Sequence, residues 1–173
     1  MPKIIQNVRN QLLTEAKRQI AAFGYDKTTI RSVASACGVG VGTVYNYFPS
    51  KDALIASFLL VDWQTALANM RERVSNDLRI SLFAVYDELK TFMALHAVLF
   101  TDKDASKSYS VAFPERHALL RSQIAEIIQP TCARSILNDK PFLAEFVAES
   151  LLVWTLAKKD FDEIYQIIEL LFK

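Results

Sequence analysis

The sequence predicts an all-α protein, and three observations carry that prediction. Apolar residues recur at three- and four-residue spacing almost from end to end. No run of alternating β-branched residues bounded by hairpin turns interrupts them. Apolar residues make up 51% of the 173 positions, at the upper end of the globular range, which argues against disorder.

A first helix is expected from about Ile4 to Phe23, with Ile5, Val8, Leu12, Ala16, Ile20 and Phe23 along one face. Gly24 ends it. Thr28 or Thr29 then caps a short helix through Ala36, because a threonine hydroxyl accepts from the free amides of a first turn. Gly38 suits the left-handed conformation that follows many helix ends, so the second helix stops at Cys37-Gly38. A third short helix runs from about Gly40 to Tyr47. Pro49 cannot extend it, and Ser50 caps a fourth that reaches about Val74, with Asp52 near the positive end of its dipole.

A long segment from Asp77 to Phe100 follows, then a polar stretch from Thr101 to Ser110. A helix from Pro114 to Gln129 is expected to stop before Pro130, and Asn138 to Pro141 makes the next break. Phe142 to Lys158 and Phe161 to Phe172 complete the chain, with Asp160 and Glu163 forming an aspartate capping box.

All four glycines fall between Gly24 and Gly42, so backbone freedom is concentrated in one segment. Charge is divided too. Residues 1–60 carry seven basic and three acidic residues, against thirteen and sixteen in residues 61–173, which points a polyanion toward the N-terminal third. Two short helices joined by a glycine-containing turn make a helix-turn-helix. Val33, Val39, Val44 and Phe48 would set the angle between them. Val41, Gly42, Thr43, Tyr45, Asn46 and Tyr47 would then face outward.

Other function classes find little support. The longest apolar runs fall far short of a membrane span, no signal-peptide core precedes the first helix, and a cytoplasmic protein with no membrane partner is expected. Cys37 and Cys132 lack metal-ligand spacing and read as packing residues. His96 and His117 are isolated, and no nucleophile elbow or phosphate loop accompanies them, so neither a metal, a cofactor nor an enzyme is implied.

Gly24-Tyr25, Thr28-Thr29-Ile30, Val33-Ala34, Cys37-Gly38-Val39, Gly42-Thr43-Val44-Tyr45-Asn46-Tyr47-Phe48 and Ser50-Lys51-Asp52-Ala53-Leu54 together resemble the DNA-binding signature of TetR/AcrR-type repressors. The resemblance spans roughly Leu12 to Leu54. It implies a DNA-binding domain over 1–49 and a helical effector-binding and dimerisation domain over 50–173, the helix from about 50 to 74 connecting them. It further implies that Thr28 or Thr29, Arg31, Thr43, Tyr47 and Lys51 meet phosphates of a double-stranded operator, which fixes register and supplies salt-dependent affinity. Base reading falls to Val41, Gly42 and Tyr45, with Asn46 as a further candidate. Gly40 stands where the family often has serine, and Val41 where a polar or basic residue is frequent. Valine suits a thymine methyl rather than a bidentate base contact, which shifts weight to Tyr45, Asn46 and DNA shape.

In such a repressor the remaining helices bind an effector and join two subunits. Phe83, Tyr86, Phe92, Met93, His96, Phe100, Tyr109, Phe113 and Trp154 are candidates to line a pocket for an apolar or aromatic small molecule, although aromatics at helical spacing also serve as plain core. The last two helices are apolar on more than one stripe and must bury a second face. Phe146, Leu151, Trp154, Ile164, Ile168 and Leu171 are the expected homodimer interface, in a four-helix arrangement with twofold symmetry. The function expected is a repressor released from a palindromic operator by that small molecule. An enzyme or a helical interaction module that keeps the helix-turn-helix as scaffold are the alternatives.

Overall fold

A computed structural model describes residues 7–102, 113–137, 140 and 142–173. Among them are nine helices and no strand: α1 (Val8–Phe23), α2 (Ile30–Ala36), α3 (Val41–Tyr47), α4 (Lys51–Arg73), α5 (Leu78–Leu95), α6 (Ala97–Thr101), α7 (Phe113–Cys132), α8 (Leu143–Leu156) and α9 (Phe161–Glu169). The chain divides into two compact units. The first is Met1–Asp62 with His96–Val111, and the second is Trp63–Leu95 with Ala112–Lys173. Compactness thus breaks within α4 at Asp62, not at the functional boundary expected near residue 50.

In the first unit, Val8, Leu12, Ala16 and Ile20 follow one another at four-residue spacing and are buried along α1. Gly24, at φ 85°, ends that helix, its N–H donating to the Ile20 carbonyl. Thr29 caps α2 in a reciprocal arrangement: its hydroxyl accepts from the Ser32 amide at 3.0 Å, and the Ser32 hydroxyl accepts from the Thr29 amide at 3.0 Å. The same Ser32 hydroxyl lies 2.6 Å from the buried Gln19 amide oxygen, which ties α2 to α1. After α2 the chain turns on Gly38, at φ 66°. Val39 N–H reaches back to the Ala34 carbonyl and Gly38 N–H to that of Ser35, the paired bonds of a Schellman turn. Val33, Val44 and Phe48 close the core beneath, so the angle between α2 and α3 is fixed by packing.

In the second unit, Trp63, Leu67 and Met70 of α4 share a core with Leu82, Val85 and Leu89 of α5 and with the inward faces of α7, α8 and α9. The Trp63 indole N–H donates to Gln123 at 2.8 Å, so the largest side chain of the cluster keeps its polar edge satisfied.

Four expectations about the elements are corrected. The segment from Asp77 to Phe100 is two helices, because His96 leaves helical geometry at φ −111°, ψ 17°. α7 runs through Pro130 to Cys132. Proline so near a helix end sacrifices one amide donor, burial of Thr131 and Cys132 holds the turn, and Ala133 N–H to Gln129 carbonyl resumes the ladder. The final helix stops at Glu169, and Leu171 and Phe172 continue in tighter turns bonded to Ile168 and Glu169. Lastly, α4 is long and apolar enough by length and composition to cross a membrane, since Asp62 is the only charge between Ala53 and Met70. Its apolar side chains are shared instead between two protein cores, Leu54, Ile55 and Phe58 in one and Trp63, Leu67 and Met70 in the other.

Candidate nucleic-acid interface

The outward side of the α2–turn–α3 segment presents an open groove of about 500 Å³. Thr28, Thr29, Ile30 and Arg31, Val41 and Tyr45, and Pro49, Ser50 and Lys51 line it. Six of the residues singled out from the sequence therefore converge here from three segments. Val41 and Tyr45 meet because they are one helical turn apart. Gly42, Asn46 and Tyr47 are exposed elsewhere on α3, and Thr43 is half-buried. Val44 is the inward anchor of the helix, with no exposed surface.

Two threonines side by side play different parts. Thr28 is 1% exposed and its hydroxyl donates to the Gly24 carbonyl at 2.9 Å. That corrects its expected availability to a phosphate, since the hydroxyl is committed to holding the loop. Thr29 is exposed and caps α2.

Lys51 is also more than a surface charge. Its ammonium donates to the Tyr25 carbonyl at 2.8 Å and sits 3.5 Å from the centre of the Tyr25 ring, a short cation–π contact. The Tyr25 hydroxyl donates to Asp52 at 2.6 Å. Burial pushes the Lys51 amine below its ordinary value, while Asp26, Asp52 and Asp102 act to keep it charged. Both halves of this cluster lie in the segments that carry the family resemblance, yet nothing in their spacing reveals that residues 25 and 51 meet.

The glycines of the segment differ in what they do. A methyl group at Gly42 would meet nothing within 4 Å, and one at Gly40 would meet only the Thr43 hydroxyl, 3.9 Å away. Gly40 precedes α3 at φ −69° and offers no side chain to cap it. Packing inside the chain therefore demands glycine at neither position.

Residues 12–58 match the N-terminal domain of the bacterial regulatory proteins of the tetR family. Over those residues the chain carries a tetR-type N-terminal domain. It is 32% identical over 117 residues to the HTH-type transcriptional repressor Rv1474c of Mycobacterium tuberculosis, covering 64% of this chain and 63% of the relative. It is 23% identical over 146 residues to the HTH-type transcriptional regulator UidR of Escherichia coli, covering 84% of this chain and 65% of the relative. The match thus spans just under two thirds of the length of these curated relatives. In fold, it is similar to a tetR-family transcriptional regulator from Streptomyces coelicolor, with a TM-score of 0.60 at 19% identity over 94% of each chain. It is similar also to the fatty acid degradation regulator FadR from Bacillus halodurans, with a TM-score of 0.62 at 18% identity over 95% of this chain and 94% of that one.

The aromatic residues expected to line an effector pocket are placed apart. Tyr86 is buried with its hydroxyl on the Lys159 carbonyl, and Phe83 and Tyr86 pack against Phe161 at 5.0 and 5.4 Å between ring centres. Phe92 meets the Trp63 ring edge-on, Met93 is half-buried, and Trp154 stands exposed on α8. In the first unit His96 is buried against Asp62, and Phe100 is exposed. Tyr109 and the side chain of Phe113 lie outside the described residues. Tyr86, Phe92 and His96 are accordingly packing residues, as aromatics at helical spacing commonly are. A groove of about 320 Å³ does open in the second unit, but Asn76, Leu78, Thr131, Arg134, Tyr165, Glu169, Phe172 and Lys173 line it, none of them in the expected set.

The expected interface residues also separate. Leu151, Ile164 and Ile168 are buried in the core of the second unit and Leu171 packs against it, a correction that follows from their three- and four-residue spacing on the inward stripe. Phe146 and Trp154 are exposed, and with Phe142, Val153 and Leu156 they leave α8 with a second, outward apolar side. No group of histidine, cysteine or carboxylate side chains suited to a metal occurs among the described residues. Cys37 and Cys132 are free thiols, and burial pushes that of Cys132 up to about 11.

Proposed function

We propose that this tetR-family chain is a homodimeric transcriptional repressor that seats α3 in the major groove of a palindromic operator and is released by an apolar or aromatic small molecule. The observation that carries the reading is the division of α3 into two sides. Val44 locks one side into the core, while Gly42, Tyr45, Asn46 and Tyr47 are left in solvent beside a groove that holds Arg31 and Lys51. Hydrogen-bonding and aromatic side chains on a rigid short helix suit base edges, and adjacent cations suit phosphates.

The outward apolar side of α8 supports pairing of two copies, since so many large exposed apolar residues on one helix mark an interaction surface. Two copies of α3 in a twofold dimer would then have to meet half-sites about 34–36 Å apart. An effector that favours a different separation weakens binding without touching DNA, which is a population shift between two states of the dimer.

Selecting bound duplexes from a fragmented genomic library tests the reading, because palindromic enrichment is expected and the neighbouring genes are named at once. Tyr45→Ala combined with Arg31→Ala should abolish that enrichment while leaving the melting midpoint unchanged. A doubly substituted protein that still enriches the same fragments at moderate salt refutes the assignment. Both tryptophans, Trp63 and Trp154, lie in the C-terminal two thirds, so their fluorescence reports effector binding there.

A further inference from the structure

The cations of the first unit are not equally engaged. Lys17 pairs with Asp62 at 2.8 Å, Arg18 pairs with Glu15 at 2.7 Å, and Lys51 is bonded to the Tyr25 carbonyl. Arg9 is different. It is exposed on α1 and makes no ion pair among the described residues, and its guanidinium carbon lies 5.6 Å from the centre of the Phe48 ring. Phe48 is the residue that ends α3 and is itself 2% exposed, so the ring beneath the guanidinium is fixed by the core. The exposed Tyr47 ring is beside it, 6.3 Å between centres.

We propose that Arg9 binds a backbone phosphate of duplex DNA at the C-terminal end of α3, a contact separate from the groove that contains Arg31 and Lys51. The proposal rests on the reading of the chain as a DNA-binding protein. A cation–π contact at this distance takes up none of the guanidinium's N–H donors, which match the paired oxygens of a phosphate. The aromatic contact therefore orients the group without consuming its hydrogen-bonding capacity. A helix lying in a major groove about 12 Å wide has phosphates within reach beyond its ends, and Arg9 is the described cation held at this one. None of the motif segments includes residue 9. α1 brings residue 9 to the end of α3.

The salt dependence of binding tests the assignment, using the whole chain and a fluorescent random-sequence duplex, because phosphate contacts do not depend on sequence. Each phosphate contact contributes about 0.9 to the slope of log K against log salt, so Arg9→Gln should make the slope shallower by about 0.9 per bound subunit. Arg9→Met, which keeps an apolar stem on Phe48 and removes only the charge, should do the same. Arg9→Lys should restore most of the slope. Neutral variants that melt normally and keep the wild-type slope overturn the proposal, as does a lysine variant that loses as much as the glutamine one. A wild-type chain without salt-dependent binding overturns the DNA-binding reading itself, and that result is seen before any variant is compared.

Discussion

The hydroxyl of Tyr25 donates to the carboxylate of Asp52 at 2.6 Å across a separation of 27 residues, pinning the turn after α1 to the first turn of α4. Lys51 covers the same ring, so one tyrosine joins an apolar contact, a cation–π contact and a charged hydrogen bond. Tyr25→Phe keeps the first two and removes the third. It should lower the unfolding free energy by about 1.5 kcal/mol, the lower end for a bond to a charged acceptor, because Asp52 is only half-buried. Urea denaturation gives the value, and no loss of stability would remove this bond from the account of how the loop is held.

Gly42 lies in a helix and faces open space. Replacing it by alanine should stabilise the isolated protein, by up to about 1 kcal/mol, since glycine is the poorer helix former. The same methyl should weaken operator binding if the bases approach closely at this point. Melting and anisotropy on one preparation read both effects, and unchanged affinity would show that the glycine serves no close approach.

The two apolar sides of α8 predict opposite phenotypes. Leu151→Ala removes a fully buried side chain and should cost about 2–5 kcal/mol. Trp154→Arg alters a half-exposed one and should leave the fold within about 0.5 kcal/mol of wild type while shifting a dimer to monomer. Light scattering combined with thermal melts separates the two. A Trp154→Arg protein of unchanged mass moves the interface elsewhere.

His96 gives the stability a pH dependence of defined sign. Its imidazole is 3% exposed, 3.0 Å from Asp62 and stacked on Phe58, with Lys17 on the same carboxylate. Burial pushes its pKa below 6.5, Asp62 pulls it back up, and Lys17 adds to the lowering. The unfolded chain therefore binds the proton more readily than the folded one. Stability should be fully present above pH 6.5 and fall as the pH drops through the folded value. Glu15, held down to about 2 by hydrogen bonds from Arg18 and Gln19, loses its own contribution only below its ordinary 4.5, so it adds nothing to a change between pH 7.5 and 5.5. Denaturation midpoints at pH 7.5 and 5.5 should differ in the wild type. The part of that difference due to this group should vanish in His96→Gln, and a glutamine variant with the wild-type profile would assign it elsewhere.

Local signals predicted local structure well. The cap at Thr29, the turn at Gly38, the capping box at Asp160 and the inward set Val33, Val44 and Phe48 are each written within a few residues of where they act. Long-range choices were not legible. His96 continues the apolar stripe of α5 in sequence, so only its partner Asp62, far away along the chain, marks the break. Leu151 and Trp154 look alike as apolar residues of one helix, and which faces solvent depends on where α7 and α9 pack. Pro130 carries a strong stop signal, but burial of its two successors overrides it. In the candidate site, the family resemblance supplied six of the residues that line the groove, while the engagement of Thr28 with Gly24 and of Lys51 with Tyr25 needed three-dimensional proximity.

Gly40 sits at φ −69°, a backbone any amino acid adopts, and a methyl group there would meet only the Thr43 hydroxyl. The threshold of α3 is thus a vacant socket built into a finished frame. A first side-chain carbon can be installed at position 40 without pressing on Val33, Val44 or Phe48, so the start of α3 can be varied in one library without disturbing the core beneath it.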